Sequence, residues 1–307
     1  MKSRIIIAGG SGFIGQELAK HFVSQGKDVI ILTRGKSNKQ NGMTFLNWNG
    51  KTIDSWTRTF EGAETVINLT GKSVDCRYTK SNKREILASR MDATQLIGRV
   101  ISQLRNPPSV WINASTATIY KHSLFKEMTE SNGEIGNDFS MTVAKRWEKA
   151  FYACETPNTR KVATRVSLVM GNSGGVFPVL NNLAKFGLGG KHGLGTQKFA
   201  WIHIEDLIAA FQFIIDQSTL KGSINITAPN SSTNSEVMFH LRQVNHMGFG
   251  IPTPKTLLKI GSFFLSTEPE LILKSRYVYP EILCKANFKF KFSIVENAIA
   301  NLIQVSN

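Results

Sequence analysis

The chain begins with a short β-branched run, RIIIA from Arg4 to Ala8, that stops at two glycines. FIGQELAKHFVSQG (13 to 26) follows, with Ile14, Leu18, Phe22 and Val23 at helical spacing and Gly26 as a C-terminal stop. DVIILT (28 to 33) then reads as a second strand, which completes one βαβ unit. Strand signals recur at TVINLT (65 to 70), SVWINAS (109 to 115), VATRVSLV (162 to 169) and SINIT (223 to 227), with helical patterns between them. The clearest helix is predicted from Lys80 to Leu104, where Ile86, Leu87, Met91, Ile97, Ile101 and Leu104 share roughly one face. Alternating elements of this kind predict an α/β fold built on a doubly wound parallel sheet of the Rossmann type. After Ala228 a polar turn, PNSSTNSE, leads into another helix, and the tail carries prolines 252, 254, 269 and 280. The expected division is therefore a large domain over 1–228 and a small C-terminal module over 229–307.

Composition narrows the picture a little. At 307 residues and 41 % hydrophobic content the chain can bury a full core. Glycines 9 and 10 cut the first apolar run too early for a signal peptide, and the stretch from Leu257 to Leu265 contains Lys259 and Gly261. That stretch is about half the length of a membrane span, so a cytoplasmic protein with no membrane partner is expected. Cys76, Cys154 and Cys284 lie far apart and the six histidines are scattered, which argues against a disulfide framework or a metal site. A net charge of +15 invites a nucleic-acid reading, yet the basic residues are spread along the chain, with only loose groups at Lys36 and Lys39 and at Lys80, Lys83 and Arg84. A basic surface, or attraction of an anionic small molecule, is favoured over nucleic acid. Nothing in the pattern specifies an oligomer.

The candidate chemistry starts at GGSGFIG, residues Gly9, Gly10, Ser11, Gly12, Phe13, Ile14 and Gly15. It lies between the first strand and the first helix, where glycines allow a tight turn, close approach of backbone to a pyrophosphate, and close packing of helix on strand. Dinucleotide binding is the expected result, with the diphosphate at the helix N-terminus. A carboxylate at the end of the second strand would suit the ribose 2′-hydroxyl of NAD, whereas arginine suits the 2′-phosphate of NADP. Thr33 and Arg34 occupy this place, with Lys36 close behind, so NADP(H) is the expected coenzyme.

Seven segments, GGSGFIG, VINLTGKSV (66 to 74), SRMDAT (89 to 94), NASTATIY (113 to 120), RVSLVMG (165 to 171), GLGG (187 to 190) and WIHIEDL (201 to 207), follow one another in order. Together they resemble the extended or atypical short-chain dehydrogenase/reductase superfamily. More narrowly, the chain is similar to its epimerase-like branch related to nucleotide-sugar epimerases, which has a C-terminal domain of unknown function. The resemblance implies that NLTG ends the strand beneath the adenosine ribose and phosphates, and that STATIY ends the strand beside the nicotinamide. Asn68, Leu69, Thr70 and Gly71 are then coenzyme-contact candidates, with ordinary strand-end roles as the alternative. The physical argument agrees, because ligands of an open parallel sheet bind beyond the carboxyl ends of its strands.

In the wider superfamily a serine or threonine, a tyrosine and a lysine cooperate, with tyrosine and lysine four apart on one helix face. By that resemblance Thr116 matches the hydroxyl and Lys145 the lysine, while Met141 stands at the tyrosine's place. A thioether has no acidic proton, and none of the five tyrosines begins a YxxxK elsewhere. Two readings stay open. One is an oxidoreductase or epimerase-like enzyme acting on a small molecule, with Tyr120 or a water held by Thr116 and Lys145 supplying the proton. The other is an NADP(H)-binding sensor or scaffold without turnover. Around these, Glu205 and Asp206 are expected to cap a helix, His203 to be a packed histidine, and Arg165 to be either a salt-bridged structural residue or a substrate anchor. The glycine-rich stretch 174–195, within a flank spanning 171–200, is expected beside the substrate cleft, with Phe177, Leu180, Phe186 and Leu188 as an apolar wall or as packing between domains.

Overall fold

In β1 (Arg4–Ala8), Ile5, Ile6 and Ile7 are completely buried, and burial on both faces is what places a strand in the middle of a covered parallel sheet. The computed structural model of the chain describes residues 3–254 and 274–306. The apolar stretch from Leu257 to Leu265 and Pro269 lie outside the described residues. Among the described residues the main sheet is joined by β2 (Asp28–Thr33), β3 (Asn38–Gln40), β4 (Met43–Asn47), β5 (Thr65–Asn68), β6 (Val110–Thr116) and β7 (Arg160–Val166). A two-sheet annex uses β8 (Leu168–Gly171), β9 (Gly174–Gly175), β10 (Lys198–Phe199) and β11 (Trp201–His203), while β12 (Gly222–Ile226) returns to the main sheet and β13 (Ser232–Thr233) pairs with β10.

The main sheet runs β12-β7-β6-β5-β1-β2-β4-β3 and is parallel except where β3 meets β4. The chain leaves β1 toward β2 on one side and later returns to lay β5 on the other. That reversal creates a crevice past the carboxyl ends of β1 and β5, the place where such sheets bind ligands.

Two layers of helix cover the sheet. One face packs α1 (Phe13–Ser24) and α5 (Ile204–Asp216) through Leu18, Phe22, Leu207 and Phe211 onto Ile5, Ile7 and Ile67. The other packs α2 (Lys80–Ile101) and α3 (Phe139–Tyr152), with Leu96, Ile97 and Phe151 against Ile6, Val66 and Trp111. On the predicted face of α2, Ile86, Ile97 and Ile101 are buried and Leu87 and Met91 half-buried, but the helix ends before Leu104. A third core joins α4 (Phe177–Lys185), α6 (Asn234–Val244) and α8 (Val295–Ser306), with α7 (Glu281–Lys285) preceding the last. Phe177 and Leu180 are buried in that third core, while Phe186 and Leu188 stand at the surface. No helix among the described residues is long and apolar enough to cross a membrane.

Two expectations are corrected. The predicted strand 162–169 divides at Ser167: β7 stays in the main sheet, while β8 pairs with β11 and β9. Both the backbone N–H and the hydroxyl of Ser167 donate to the Ile226 carbonyl, so the chain turns out of the ladder there without any break in its apolar pattern. Strand β4 was not anticipated. Burial alternates along its five residues, with Met43 and Phe45 inward, but a run this short does not announce a strand without the partner β2.

Candidate functional site

The three spaced glycines of the first turn meet different constraints. Gly9 has φ +71°, a conformation that side chains resist. At Gly15 an added Cβ would stand 2.4 Å from the Gly10 Cα, so the helix can approach the strand exit only without a side chain. Gly12 differs: a Cβ there would meet no protein atom within 4 Å. It is exposed, caps α1 with no side-chain hydrogen bond, and lines a cleft of about 700 Å³ with Gly9 and Ser11. The first N–H groups of α1 therefore lack a side-chain cap at an open cavity, which is the local chemistry of an anion site. Gly10, Phe13, Ile14 and Gly15 lie behind this surface. Phe13 in turn packs close to Gly171, Gly174 and Gly175, tying the turn to the β8–β9 hairpin.

The same cleft is lined by Thr33, Arg34, Leu69, Thr70 and Gly71, so the ends of β1, β2 and β5 converge as the sequence suggested. Arg34 is exposed, and its loop is fastened by Asn47 of β4, whose Nδ2 donates to the carbonyls of Arg34 (3.2 Å) and Gly35 (2.8 Å). Beyond β4, Trp48, Asn49, Gly50 and Lys51 also line the cleft. Sequence reasoning missed this wall; the Asn49-Gly50 turn signal after MTFLN was the available hint. Lys36 is not part of the lining. Among the described residues neither Arg34 nor Lys51 has an ion-pair partner. Larger hollows exist elsewhere, of about 1040 and 1320 Å³, but one is lined by strand starts such as Ser109 and Arg160 and the other by the last turns of α2 and α3. Neither lies at the ligand-binding edge of the sheet.

Asn68 is fully buried, and its amide donates to Asn113 Oδ1 (2.7 Å) and Thr94 Oγ1 (3.2 Å) while Oδ1 accepts from the Thr70 N–H (3.1 Å). It shapes the strand exit from below and is absent from the cleft lining. The Thr70 hydroxyl, by contrast, is buried without a hydrogen-bond partner among the described residues. An orphaned hydroxyl beside a cavity costs stability unless something supplies a partner.

At the end of β6, Thr116 Oγ1 accepts from the Thr118 N–H (3.2 Å) and lies 3.0 Å from the Thr118 hydroxyl. Helix α3 starts at Asp138, whose carboxylate caps the Met141 N–H. The Met141 side chain is buried, and Lys145 one turn later donates to Asn137 Oδ1 at 2.5 Å. Tyr120 is buried elsewhere, 1 % exposed. Its hydroxyl donates to Asn225 Oδ1 (2.9 Å) and accepts from Arg165 (2.7 Å). Burial raises its pKa, with the Arg165 charge opposing. Arg165 also grips Glu148 with two bonds of 2.8 and 2.9 Å, the salt-bridged structural role. Against burial, those bonds hold its pKa above the usual arginine range.

A family model described as the NAD dependent epimerase/dehydratase family matches residues 5–227. The chain belongs to that family. Among curated relatives it is 32% identical to an epimerase family protein of Staphylococcus saprophyticus over 299 residues, which covers 97% of this chain and 98% of the relative. It is also 32% identical to the epimerase family protein YfhF of Bacillus subtilis, covering 97% of each. Among solved structures, the human epimerase family protein SDR39U1 (isoform 2) with NADPH superposes with TM-score 0.87 at 26% identity, over 98% of this chain and 99% of that one. A nucleoside-diphosphate sugar epimerase from Corynebacterium glutamicum gives TM-score 0.79 at 25% identity, over 99% of this chain but 58% of that one. The resemblance to extended short-chain dehydrogenase/reductases holds, and this epimerase family chain has the family's NAD(P)-binding fold.

Elsewhere in this epimerase family chain the WIHIEDL segment departs from expectation. His203 is the packed histidine anticipated, but it is also the cap of α5, Nδ1 accepting from the Glu205 N–H at 3.1 Å. Burial pushes its pKa down to about 4. Asp206 does not cap. Its carboxylate accepts from the backbone of Lys291 (2.7 Å) and Phe292 (2.9 Å), and Glu205 pairs with the Lys291 ammonium. Helical position alone suggested capping; a tail segment docked on α5 claims both carboxylates instead. No cluster of histidine, cysteine and carboxylate that could hold a metal occurs among the described residues.

Proposed function

We propose that this protein binds NADP(H) in the cleft between β1, β2 and β5 and acts as an oxidoreductase or epimerase-like enzyme on a small molecule. The single observation that carries the reading is the α1 N-terminus without a side-chain cap, opening through Gly12 onto a cleft that Arg34 and Lys51 also line. Gly9, Ser11 and Gly12 hold the diphosphate by backbone N–H groups, and Phe13, Ile14 and Gly15 set the helix at the required distance. Thr33 and Arg34 face the adenosine ribose, Arg34 and Lys51 supply positive charge for a 2′-phosphate, and Leu69, Thr70 and Gly71 cover the opposite side. The human relative's NADPH supports the choice of NADP(H) over NAD.

Bound there, the coenzyme supplies or accepts a hydride. The chain's own part is to hold and move the proton, and Met141 cannot do that. In this reading Thr116, paired with Thr118, orients a water, and Lys145 provides the cation beside the nicotinamide ribose. Tyr120 is left a structural part, since its hydroxyl is already committed to Arg165 and Asn225. Segment 171–200 and the described residues of the module 229–307 border the substrate side.

The test is titration with NADPH and NADH, followed by turnover on aldehydes, ketones and nucleotide sugars read as loss of nicotinamide absorbance. Turnover that falls about 100-fold or more in Thr116→Ala, and little in Tyr120→Phe, supports the assignment. Tight NADPH binding with no turnover on any substrate would replace it with the sensor reading, and no binding at all would end both.

A further inference from the structure

SRMDAT, residues 89 to 94, lies on α2; Thr94 already supports Asn68, and Ser89 and Asp92 line the same cleft. Its polar side chains converge on the strand exit from Asn68 to Lys72. The Ser89 hydroxyl accepts from the Lys72 N–H (2.9 Å), and the Arg90 guanidinium donates to the Lys72 carbonyl (3.0 Å) and to the Ile86 carbonyl (2.9 Å). Lys72 itself reaches back to Asn82 Oδ1 (2.8 Å) and Glu85 (2.7 Å) on the same helix. Thr94 completes the set, accepting from Asn68 and from the Trp147 indole (3.0 Å). Every polar group of Lys72 is thereby bound to α2.

Arg90 also explains Gly71. A Cβ on Gly71 would stand 2.9 Å from the Arg90 guanidinium carbon, so the loop lies flat on it. The guanidinium also lies over the Trp147 ring at 5.0 Å, on the same helix as Lys145. Arg90 thus touches both the cleft-lining loop and α3, with no carboxylate paired to it among the described residues. Burial disfavours its charge, which lowers its pKa below the usual arginine range.

Resting on the coenzyme reading above, we infer that Ser89 and Arg90 are positioning residues for the coenzyme: they clamp the loop 70–72 to α2 in the shape that receives it, and Arg90 couples that loop to the helix carrying Lys145. The Arg90 charge is met by the two carbonyls and the Trp147 ring, so its effect on the coenzyme runs through the position of the loop.

The experiment uses the full chain and compares wild type with Arg90→Met, Arg90→Lys, Gly71→Ala and the double variant Arg90→Met/Gly71→Ala. NADPH affinity, thermal midpoint and amide exchange at residues 70–73 are measured on each. Arg90→Met should weaken NADPH about tenfold or more and speed exchange of the Lys72 amide in coenzyme-free protein, and Arg90→Lys should recover part of both. Gly71→Ala should harm affinity less in the Arg90→Met background than in wild type. A merely structural Arg90 would lower the thermal midpoint and leave the affinity of folded protein within twofold, which overturns the proposal, as do additive effects of the two substitutions. Should Arg90→Met fail to fold, Arg90→Lys and Gly71→Ala decide by the same readouts. If wild type binds no NADPH, the coenzyme reading falls, while unchanged exchange at Lys72 in the Arg90 variants would separately sink the clamp.

Discussion

Replacing Arg165 by methionine would strand a carboxylate inside the protein. Arg165 and Glu148 are 7 % and 8 % exposed, joined by two bonds, and among the described residues the carboxylate has further donors only in Ser115 (2.6 Å) and Ser223 (3.2 Å). Removing one member of a buried pair typically costs about 3–5 kcal/mol, because the remaining charge has lost its partner but stays out of water. Tyr120 loses a bond in the same step, which adds to the cost. For a chain of this size that corresponds to a fall in thermal midpoint of roughly 5–8 °C. The companion variant Glu148→Leu/Arg165→Met removes both charges and should be less destabilised than Arg165→Met alone, since a hydrophobic pair of similar volume is often tolerated. Urea unfolding followed by far-ultraviolet circular dichroism, backed by thermal melts, measures both. A loss below about 1 kcal/mol for Arg165→Met, or a double variant as unstable as the sum of the two single changes, would refute the view that this network is a closed ion pair.

Other consequences can be read from single substitutions. Gly15→Ala, whose Cβ would meet the Gly10 backbone, should cost about 1–3 kcal/mol in urea unfolding. Gly12→Ala, with open space around it, should stay within about 1 kcal/mol of wild type yet weaken NADPH roughly tenfold by calorimetry. Arg34→Ala should lower affinity for NADPH by roughly 10- to 100-fold while leaving NADH nearly unchanged, and equal losses for both would remove the 2′-phosphate assignment. His203 is held neutral with a pKa near 4, against about 6.5 in the unfolded chain. Its contribution is complete above pH 6.5 and is lost as pH falls toward 4, because the unfolded chain takes up a proton that the folded one refuses. Stability should therefore drop by roughly 2 kcal/mol between pH 7 and pH 5 from this group, and His203→Asn, which keeps a capping side chain, should flatten that slope.

Much of the site's frame was legible because its signals are local. β1, α1 and β2 appear almost at their expected bounds, and Gly9, Gly12 and Gly15 have the conformation, openness and close contact that the motif requires. Arg34 is found at the cleft for the same reason: it follows directly from where a buried strand must end. β4 was invisible, since a half-buried five-residue segment becomes a strand only when β2 and β3 offer their ladders, and with it went the Trp48 to Lys51 wall.

The sequence by itself determined the doubly wound sheet and the glycine turn, both of which depend on residue type and spacing within a few turns of chain. Tertiary structure alone decided which polar groups meet. Tyr120 is claimed by Arg165 and Asn225, Asp206 by the backbone at 291 and 292, and Lys72 by Ser89 and Arg90. A buried hydroxyl or carboxylate must find a partner, but the physics that demands a partner does not say which distant residue folding will bring to it.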